Sequence, residues 1–511
     1  MRRRRLIVLV IAVVAVVGAG VFATVVAKRV KGSAAQTSAA YFTAWQRGDL
    51  RAMAALVYQP PADFVSRHRS FSHDLHVQDI ELRPGAVKST GETSAEVPFT
   101  GSRTLSEFGA WPFSGTLRLA VRDRTWKVIW APETLDPRLK DGGTVRLAEF
   151  DGPAVELVTS EGHKIPNDSY AESYLAELKP EFDDVSQGWA LESALPGQQA
   201  RRLMTVEPKV SLERTTLSRP VQAAAARALD GVRDASIIAI RPSTGEVLAV
   251  ADRLEGNYSA FRDFFPPGST FKTVTAAALL EAGLDPAAEV DCPATYTIPN
   301  FRPIKNAGEQ EHGRVTFANA FAYSCNTTFV HETVARLSGD DLVETAAKWG
   351  FGGAKLATGL GGNCGRMDPP DGTGELALDS FGQGTVEATP LCMAMVAAAV
   401  QSGTLRVPRI LSKAAVERID GPAAKPVELD EGTVAALREM MAAVVDHGTA
   451  AAAGLPAGVS GKTGTAEAGG SREHGWFIGY RDDLAFSVFV RNGGSGRSAA
   501  LPVAARFLNG I

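Results

Sequence analysis

The apolar and polar positions divide the chain into four stretches. The first is an unbroken apolar run from Leu6 to Ala27 behind the basic cluster Arg2 to Arg5. As a helix it reaches about 33 Å, enough to cross the hydrocarbon core of a bilayer. It is longer than the apolar part of a cleaved signal peptide, which is about 7–15 residues. The pattern therefore predicts an uncleaved anchor, with residues 1–31 as tail and span. Four arginines before the span favour a cytoplasmic N-terminus, and Lys28, Arg29 and Lys31 beyond it pull the other way. With the N-terminus inside, the rest of the chain is expected outside the cytoplasmic membrane.

Residues 33–143 read as a small α+β domain. Helical spacing runs from Ala39 to Ala55, with Tyr41, Phe42, Trp45 and Leu50 as the large apolar positions. Alternating runs follow at Thr116 to Val121 and Thr125 to Trp130. Pro137 and Asp141-Gly142-Gly143 close the unit. His68, His73 and His76 are loosely spaced and read as surface residues. Residues 145–212 have weak periodicity and read as a linker.

From 213 to 511 the pattern strengthens. Ala235 to Ile240 and Glu246 to Val250 read as strands joined by the turn Arg241-Pro242-Ser243-Thr244-Gly245. Near the end, Val459 to Glu467, Gly475 to Tyr480 and Leu484 to Val490 read as three more, separated by Gly469-Gly470 and Arg481-Asp482-Asp483. Helices fill the interval; Thr389-Pro390 starts and Gly403 stops the apolar segment Leu391 to Gln401. The expected fold class is α+β, with one antiparallel sheet built from both ends of this domain and covered by helices.

Composition changes this picture little. A chain of 511 residues with 45% hydrophobic and 22% charged content is globular and needs more than one core. A net charge of -4 with scattered basic residues gives no nucleic-acid partner. The cysteines Cys292, Cys325, Cys364 and Cys392 have no paired spacing of a zinc site. An external location permits a disulfide, and Cys292 with Cys364 is the pair to check. Cys325 and Cys392 read as buried packing residues.

Candidate chemistry lies in three places. Pro266-Pro267-Gly268-Ser269-Thr270-Phe271-Lys272 precedes an alanine-rich helix, which puts Ser269 at its N-terminus and Lys272 one turn on. A serine hydroxyl needs a base, and a buried lysine of lowered pKa can serve. The helix N-terminus offers free N–H groups for an oxyanion. By itself Ser-x-x-Lys arises by chance about once or twice in a chain this long. Ser324-Cys325-Asn326 places a hydroxyl and an amide two residues apart. The third place is Gly461-Lys462-Thr463-Gly464-Thr465. Lys462 offers a positive charge, Thr463 and Thr465 offer hydroxyls on one strand face, and Gly464 admits a substrate backbone. Together they suit a carboxylate. Pro456 stands where a phosphate-binding loop needs glycine, and Ala335 where a His331-Glu332 zinc-protease motif needs its second histidine, so both readings fail.

In this order and spacing the three motifs resemble those of the penicillin-binding proteins and serine β-lactamases. The wording at 267–272, 324–327 and 461–467 is most similar to class B penicillin-binding transpeptidases. Supporting stretches are Pro242 to Val250, Gly382-Gln383-Gly384 with Thr389-Pro390, and Trp476 to Tyr480. Residues 33–142 resemble the nuclear transport factor 2-like domain of methicillin-resistance-type members. The resemblance implies that Ser269 attacks a D-Ala-D-Ala stem peptide to form an acyl-enzyme and that Lys272 takes its proton. It implies that Ser324 passes a proton to departing D-alanine, and that Asn326 holds Lys272 and the substrate amide. Lys462, Thr463 and Thr465 would bind the terminal carboxylate, and the N–H groups of Ser269 and Thr465 would form the oxyanion hole. An amine of a neighbouring stem would resolve the ester, with no metal or cofactor. β-Lactams would acylate the same serine. A separate glycosyltransferase partner is implied too. The linker departs from the class: Leu157 to Asn167 lacks the Asp-Arg-x-Gly-type motif, which puts the usual linker packing in doubt.

On the same fold, a β-lactamase, a D,D-carboxypeptidase and an antibiotic sensor are the competing functions. The anchor and long N-terminal module do not suit a β-lactamase, and Asn326 is unlike the Val typical of class D enzymes. A sensor would carry several membrane spans and a zinc-protease motif. A carboxypeptidase differs only in its acceptor.

Overall fold

The structure is a computed structural model that describes residues 30–182, 184–467 and 472–511. The predicted anchor Leu6 to Ala27 and the Gly469-Gly470 break lie outside the described residues. Among the described residues no helix is long and apolar enough to cross a membrane. The described residues form two compact units, one from 30–154 with 184–210, the other from 155–182 with 211–467 and 472–511.

The first unit opens with helices α1 (Ala34–Gln46), α2 (Leu50–Leu56) and α3 (Phe64–Asp74). One helix was expected over Ala39 to Ala55. Instead the chain breaks after Gln46, and the Asp49 carboxylate accepts the Ala52 N–H at 2.9 Å to start α2. Strands β1 (Val77–Pro84), β2 (Lys88–Gly91), β3 (Ser94–Leu105), β4 (Gly109–Arg122) and β5 (Thr125–Val128) form an antiparallel sheet centred on β3 and β4. Tyr41, Phe42 and Trp45 of α1 pack with Phe64, Phe99, Trp111 and Phe113 in its core.

His68 is buried, contrary to its expected surface position. Phe64, His68 and Phe71 recur at helical spacing on the inner face of α3. The His68 ring lies 4.6 Å from that of Phe64 and 5.8 Å from that of Trp45. Burial, then the nearby Arg103 charge, lowers its pKa to about 4, so it is neutral at pH 7. His73 and His76 are exposed as expected.

Residues 145–212 are shared between the two units. Thr144–Pro153, Val185–Ala194 and Arg201–Val206 form a three-stranded antiparallel sheet in the first unit. It adds Leu191, Val145, Leu147 and Met204 to the same core. In the second unit, Val155–Val158 pairs in parallel with Ser211–Arg214. The Asp-Arg-x-Gly-type motif is missing here, but other contacts fix the segment. Glu161 accepts the Arg219 N–H and the Ser218 hydroxyl, each at 3.0 Å, at the start of helix α4 (Arg219–Ala228). Tyr174 donates to Asp252 at 2.6 Å.

The main sheet of the second unit uses β6 (Ala235–Arg241), β7 (Glu246–Asp252), β9 (Ser460–Ala466), β10 (His474–Arg481) and β11 (Leu484–Val490), with β8 (Glu289–Cys292) in a separate two-stranded ribbon. Its order is β7-β6-β11-β10-β9, all antiparallel, joining both ends of the domain. Every residue from Ala235 to Ile240 is buried, so both faces are covered. Among the helices around it are α5 (Lys272–Glu281), α6 (Phe317–Ala322), α7 (Asn326–Arg336), α8 (Thr373–Asp379), α9 (Pro390–Ser402), α10 (Glu431–Asp446) and α11 (Leu501–Leu508). Helix α9 packs on β6, β10 and β11 and is buried all round, with Thr389 capping Cys392 N and Gly403 in the left-handed conformation at its end.

The cysteines pair differently from expectation. Cys292 joins Cys325, and Cys364 joins Cys392. The fold brings the end of β8 to the start of α7, with a Cα separation of 6.0 Å, and linear spacing carries no record of that proximity.

Candidate active site

Ser269 lies on a single helical turn, Gly268–Thr270, that leads into α5. This turn is interlocked with strand β9. Gly268 has φ +53°, and a Cβ there would meet the Thr465 carbonyl oxygen at 2.3 Å. A Cβ on Gly464 would in turn meet Thr270 Cγ2 at 2.7 Å and the Pro267 oxygen at 2.9 Å. Gly464 was read as making room for a substrate backbone; the close approach it permits is that of the protein's own serine turn. Trp476 adds a hydrogen bond to the Pro266 carbonyl at 3.0 Å. Ser269 is thereby held beside Thr465, with its N–H in a first turn that leaves such groups unpaired.

Lys272, one turn on, is fully buried. Its Nζ donates to the Ser324 carbonyl at 2.8 Å, to Asn326 Oδ1 at 2.6 Å and to Ser324 Oγ at 3.4 Å. Lys462 Nζ, also buried, donates to Ser324 Oγ at 2.9 Å and to the Thr463 carbonyl at 3.1 Å. Ser324 therefore bridges two lysines, and among the described residues neither has a carboxylate within ion-pair distance. Two unpaired buried ammonium groups are expensive, so the charges recede. Burial, and then the neighbouring Lys462 charge, holds Lys272 well below the usual lysine range. Burial brings Lys462 down to about 7. The same burial favours the amine form of Lys272, the form that can take up a proton, and at neutral pH Lys462 keeps part of its charge.

Ser324 sits between α6 and α7 with φ +61°, a left-handed conformation that strains a serine. Three ties hold it there. Its N–H donates to the Phe321 carbonyl at 3.0 Å, and Cys325 N–H donates to Ala320 at 2.9 Å. The Cys292–Cys325 disulfide pins the next residue. Asn326 opens α7; its Nδ2 donates to the Lys305 carbonyl at 2.9 Å, which fixes the amide so that Oδ1 meets Lys272. One Nδ2 hydrogen is left for a ligand.

On β9, the Thr463 hydroxyl shares a 2.6 Å hydrogen bond with that of Thr449, and the Thr465 hydroxyl accepts the Gly496 N–H at 3.1 Å. The eight residues singled out from the sequence, Ser269, Lys272, Ser324, Asn326, Lys462, Thr463, Gly464 and Thr465, thus converge on one place. Sequence reasoning missed the Lys305 carbonyl, Thr449, Gly496 and the Cys292–Cys325 link. A cysteine inside Ser324-Cys325-Asn326 was a visible signal for the last. The backbone contacts left no signal. Among the described residues no group of three or more His, Cys, Asp and Glu could hold a metal.

Two buried lysines of lowered pKa bridged by a serine, beside a second hydroxyl at a helical turn, make the chemistry of a serine acyltransferase. Comparison with known proteins gives the family. Residues 235–511 match the penicillin binding protein transpeptidase domain, and residues 33–143 match the NTF2-like N-terminal transpeptidase domain. The chain is 29% identical over 341 residues to peptidoglycan D,D-transpeptidase PbpA of Mycolicibacterium smegmatis, covering 56% of this chain and 68% of that protein. It is 32% identical over 302 residues to stage V sporulation protein D of Bacillus subtilis, covering 51% of this chain and 45% of that one. The structure of penicillin-binding protein A from M. tuberculosis, a penicillin G acyl-enzyme complex, shares the fold. Its TM-score is 0.51 at 23% identity, over 60% of this chain and 80% of that one. The chain therefore belongs to the penicillin-binding protein transpeptidase family, with an NTF2-like N-terminal domain.

Proposed function

We propose that this chain is a peptidoglycan D,D-transpeptidase working through a Ser269 acyl-enzyme. The observation that carries the reading is Ser324 Oγ bonded to two buried lysines of lowered pKa beside the Ser269 turn. A D-Ala-D-Ala stem enters with its terminal carboxylate on Lys462, Thr463 and Thr465, which raises the Lys462 pKa and restores its full charge. The Asn326 amide holds the penultimate carbonyl region. Ser269 Oγ attacks the amide carbon as its proton passes to Lys272 Nζ, and the oxyanion rests on the N–H groups of Ser269 and Thr465. The C–N bond then breaks, with the proton relayed through Ser324 to the leaving D-alanine amine. A stem amine from a neighbouring strand attacks the ester, gives up its proton along the same relay and frees Ser269.

Penicillins carry a carboxylate and a strained amide, so they acylate Ser269 too. Among the described residues no carboxylate bonds to Lys272, Ser324 or Lys462, leaving no acidic base to activate water against the ester. That favours a long-lived acyl-enzyme over a β-lactamase. The apolar run Leu6 to Ala27 supports a single-pass cytoplasmic-membrane protein with its catalytic domain outside, and the two disulfides suit that compartment. A separate glycosyltransferase is the partner expected to supply glycan strands. The test is intact mass after incubation with a penicillin. A persistent single adduct is expected, whereas rapid turnover of the adduct would replace this reading by a β-lactamase.

A further inference from the structure

Next to the serine turn, reached through the Gly382 carbonyl, lies a buried acid that the mechanism above does not use. Asp379 is the last residue of α8 and is fully buried. Its Oδ1 accepts the Thr385 N–H at 2.7 Å and the Thr385 hydroxyl at 3.1 Å. Its main-chain carbonyl accepts the Gly382 N–H at 2.9 Å. Asp379 thus holds both ends of the turn Gly382–Thr385. The Gly382 carbonyl accepts the Gly268 N–H at 2.9 Å, and Gly268 immediately precedes Ser269. The Asp379 side chain is therefore linked, through Thr385 and the backbone of this turn, to the residue that precedes the nucleophile.

The second carboxyl oxygen, Oδ2, is buried with no hydrogen-bond partner. An ionised carboxylate would leave charge on an oxygen with no partner there, whereas a neutral acid leaves only one uncharged O–H unpaired. The neighbouring charges favour the neutral form. Glu375 on the same helix and Asp368 ahead of it are both acidic, and the helix end presents its carbonyl dipoles. On the packed helix α7, the charged groups His331, Glu332 and Arg336 are occupied with one another. Burial first, and these acidic neighbours after it, outweigh the Thr385 hydrogen bonds and raise the Asp379 pKa to about 7.

We propose that Asp379 is a positioning residue for acyl transfer: as a neutral acid it holds the Gly382–Thr385 turn against Gly268, and when it ionises the turn loosens and Ser269 loses its attacking position. This rests on the reading of Ser269 as the acylated serine. Lys272 and Lys462 titrate in the same reaction, so a wild-type pH profile alone does not isolate Asp379. The ratio of second-order penicillin acylation constants, Asp379→Asn over wild type, does, because both proteins share the lysines. With a pKa near 7 only about one part in 30 is neutral at pH 8.5, so the ratio should climb by up to about 30-fold from pH 6 to pH 8.5. A ratio that stays level, or falls, overturns the proposal. Should the variant not fold, wild-type hydrogen exchange decides. The Gly268 and Thr385 amides should lose protection above pH 7 beyond the intrinsic pH dependence of exchange, and protection that holds to pH 8.5 overturns it. A wild-type chain that takes up no penicillin at any pH would instead sink the acyl-enzyme reading, and exchange at these amides would still report on the turn.

Discussion

Lys462→Met keeps the apolar stem of the side chain and removes its charge. On the proposed reading that charge does two things: it receives the substrate carboxylate, and it lowers the Lys272 pKa by repulsion. A hydrogen bond to a charged group contributes about 1.5–3 kcal/mol, so the variant should lose roughly 13- to 160-fold in second-order acylation by penicillin. Removing the repulsion also raises the Lys272 pKa. Since the base must be neutral, the acid limb of the acylation profile should move to higher pH. Thermal stability should hold or rise, because an unpaired buried cation has been replaced by apolar volume. Acylation constants measured by stopped-flow across pH 5–9, with melting curves alongside, test all three expectations. An unchanged acylation constant would refute the carboxylate role of Lys462, and an acid limb that stays in place would refute its coupling to Lys272.

Replacing both Cys292 and Cys325 by Ala opens a cross-link between residues 33 apart, which should destabilise the second unit by about 3–4 kcal/mol in denaturant unfolding. An unfolding midpoint equal to that of wild type would contradict this. Gly464→Ala places a Cβ 2.7 Å from Thr270 Cγ2 and should push the serine turn off β9. A displacement of about 1 Å lowers acylation on the order of a hundredfold, so an unchanged acylation constant would show that the interlock does not set the Ser269 position.

Much of the transpeptidase unit was legible because its signals are local. Ala235 to Ile240 and Leu484 to Val490 are apolar runs bounded by turns, and the caps Thr389 and Gly403 lie where the chain itself changes character. The eight candidate residues were legible because short motifs carry them on single elements. What stayed hidden depends on contacts distant in sequence. The partners of four cysteines follow from how β8 meets α7 and how the 352–366 loop meets α9. His68 is buried because the aromatic rings of Trp45 and Trp130 come to it from other elements. Residues 145–212 looked featureless because the edge strand Arg201–Val206 buries little of itself, so its alternation is faint. Asp379 carries no motif, and only the three-dimensional fold puts it next to the serine turn.

The most direct measurement is a peptide map of the chain after penicillin treatment, run beside Ser269→Ala. The account predicts one stable adduct in the wild type, located on Ser269, and none in the variant, with thermal unfolding of the two nearly equal. An adduct on another residue, or labelling that survives in Ser269→Ala, would contradict it.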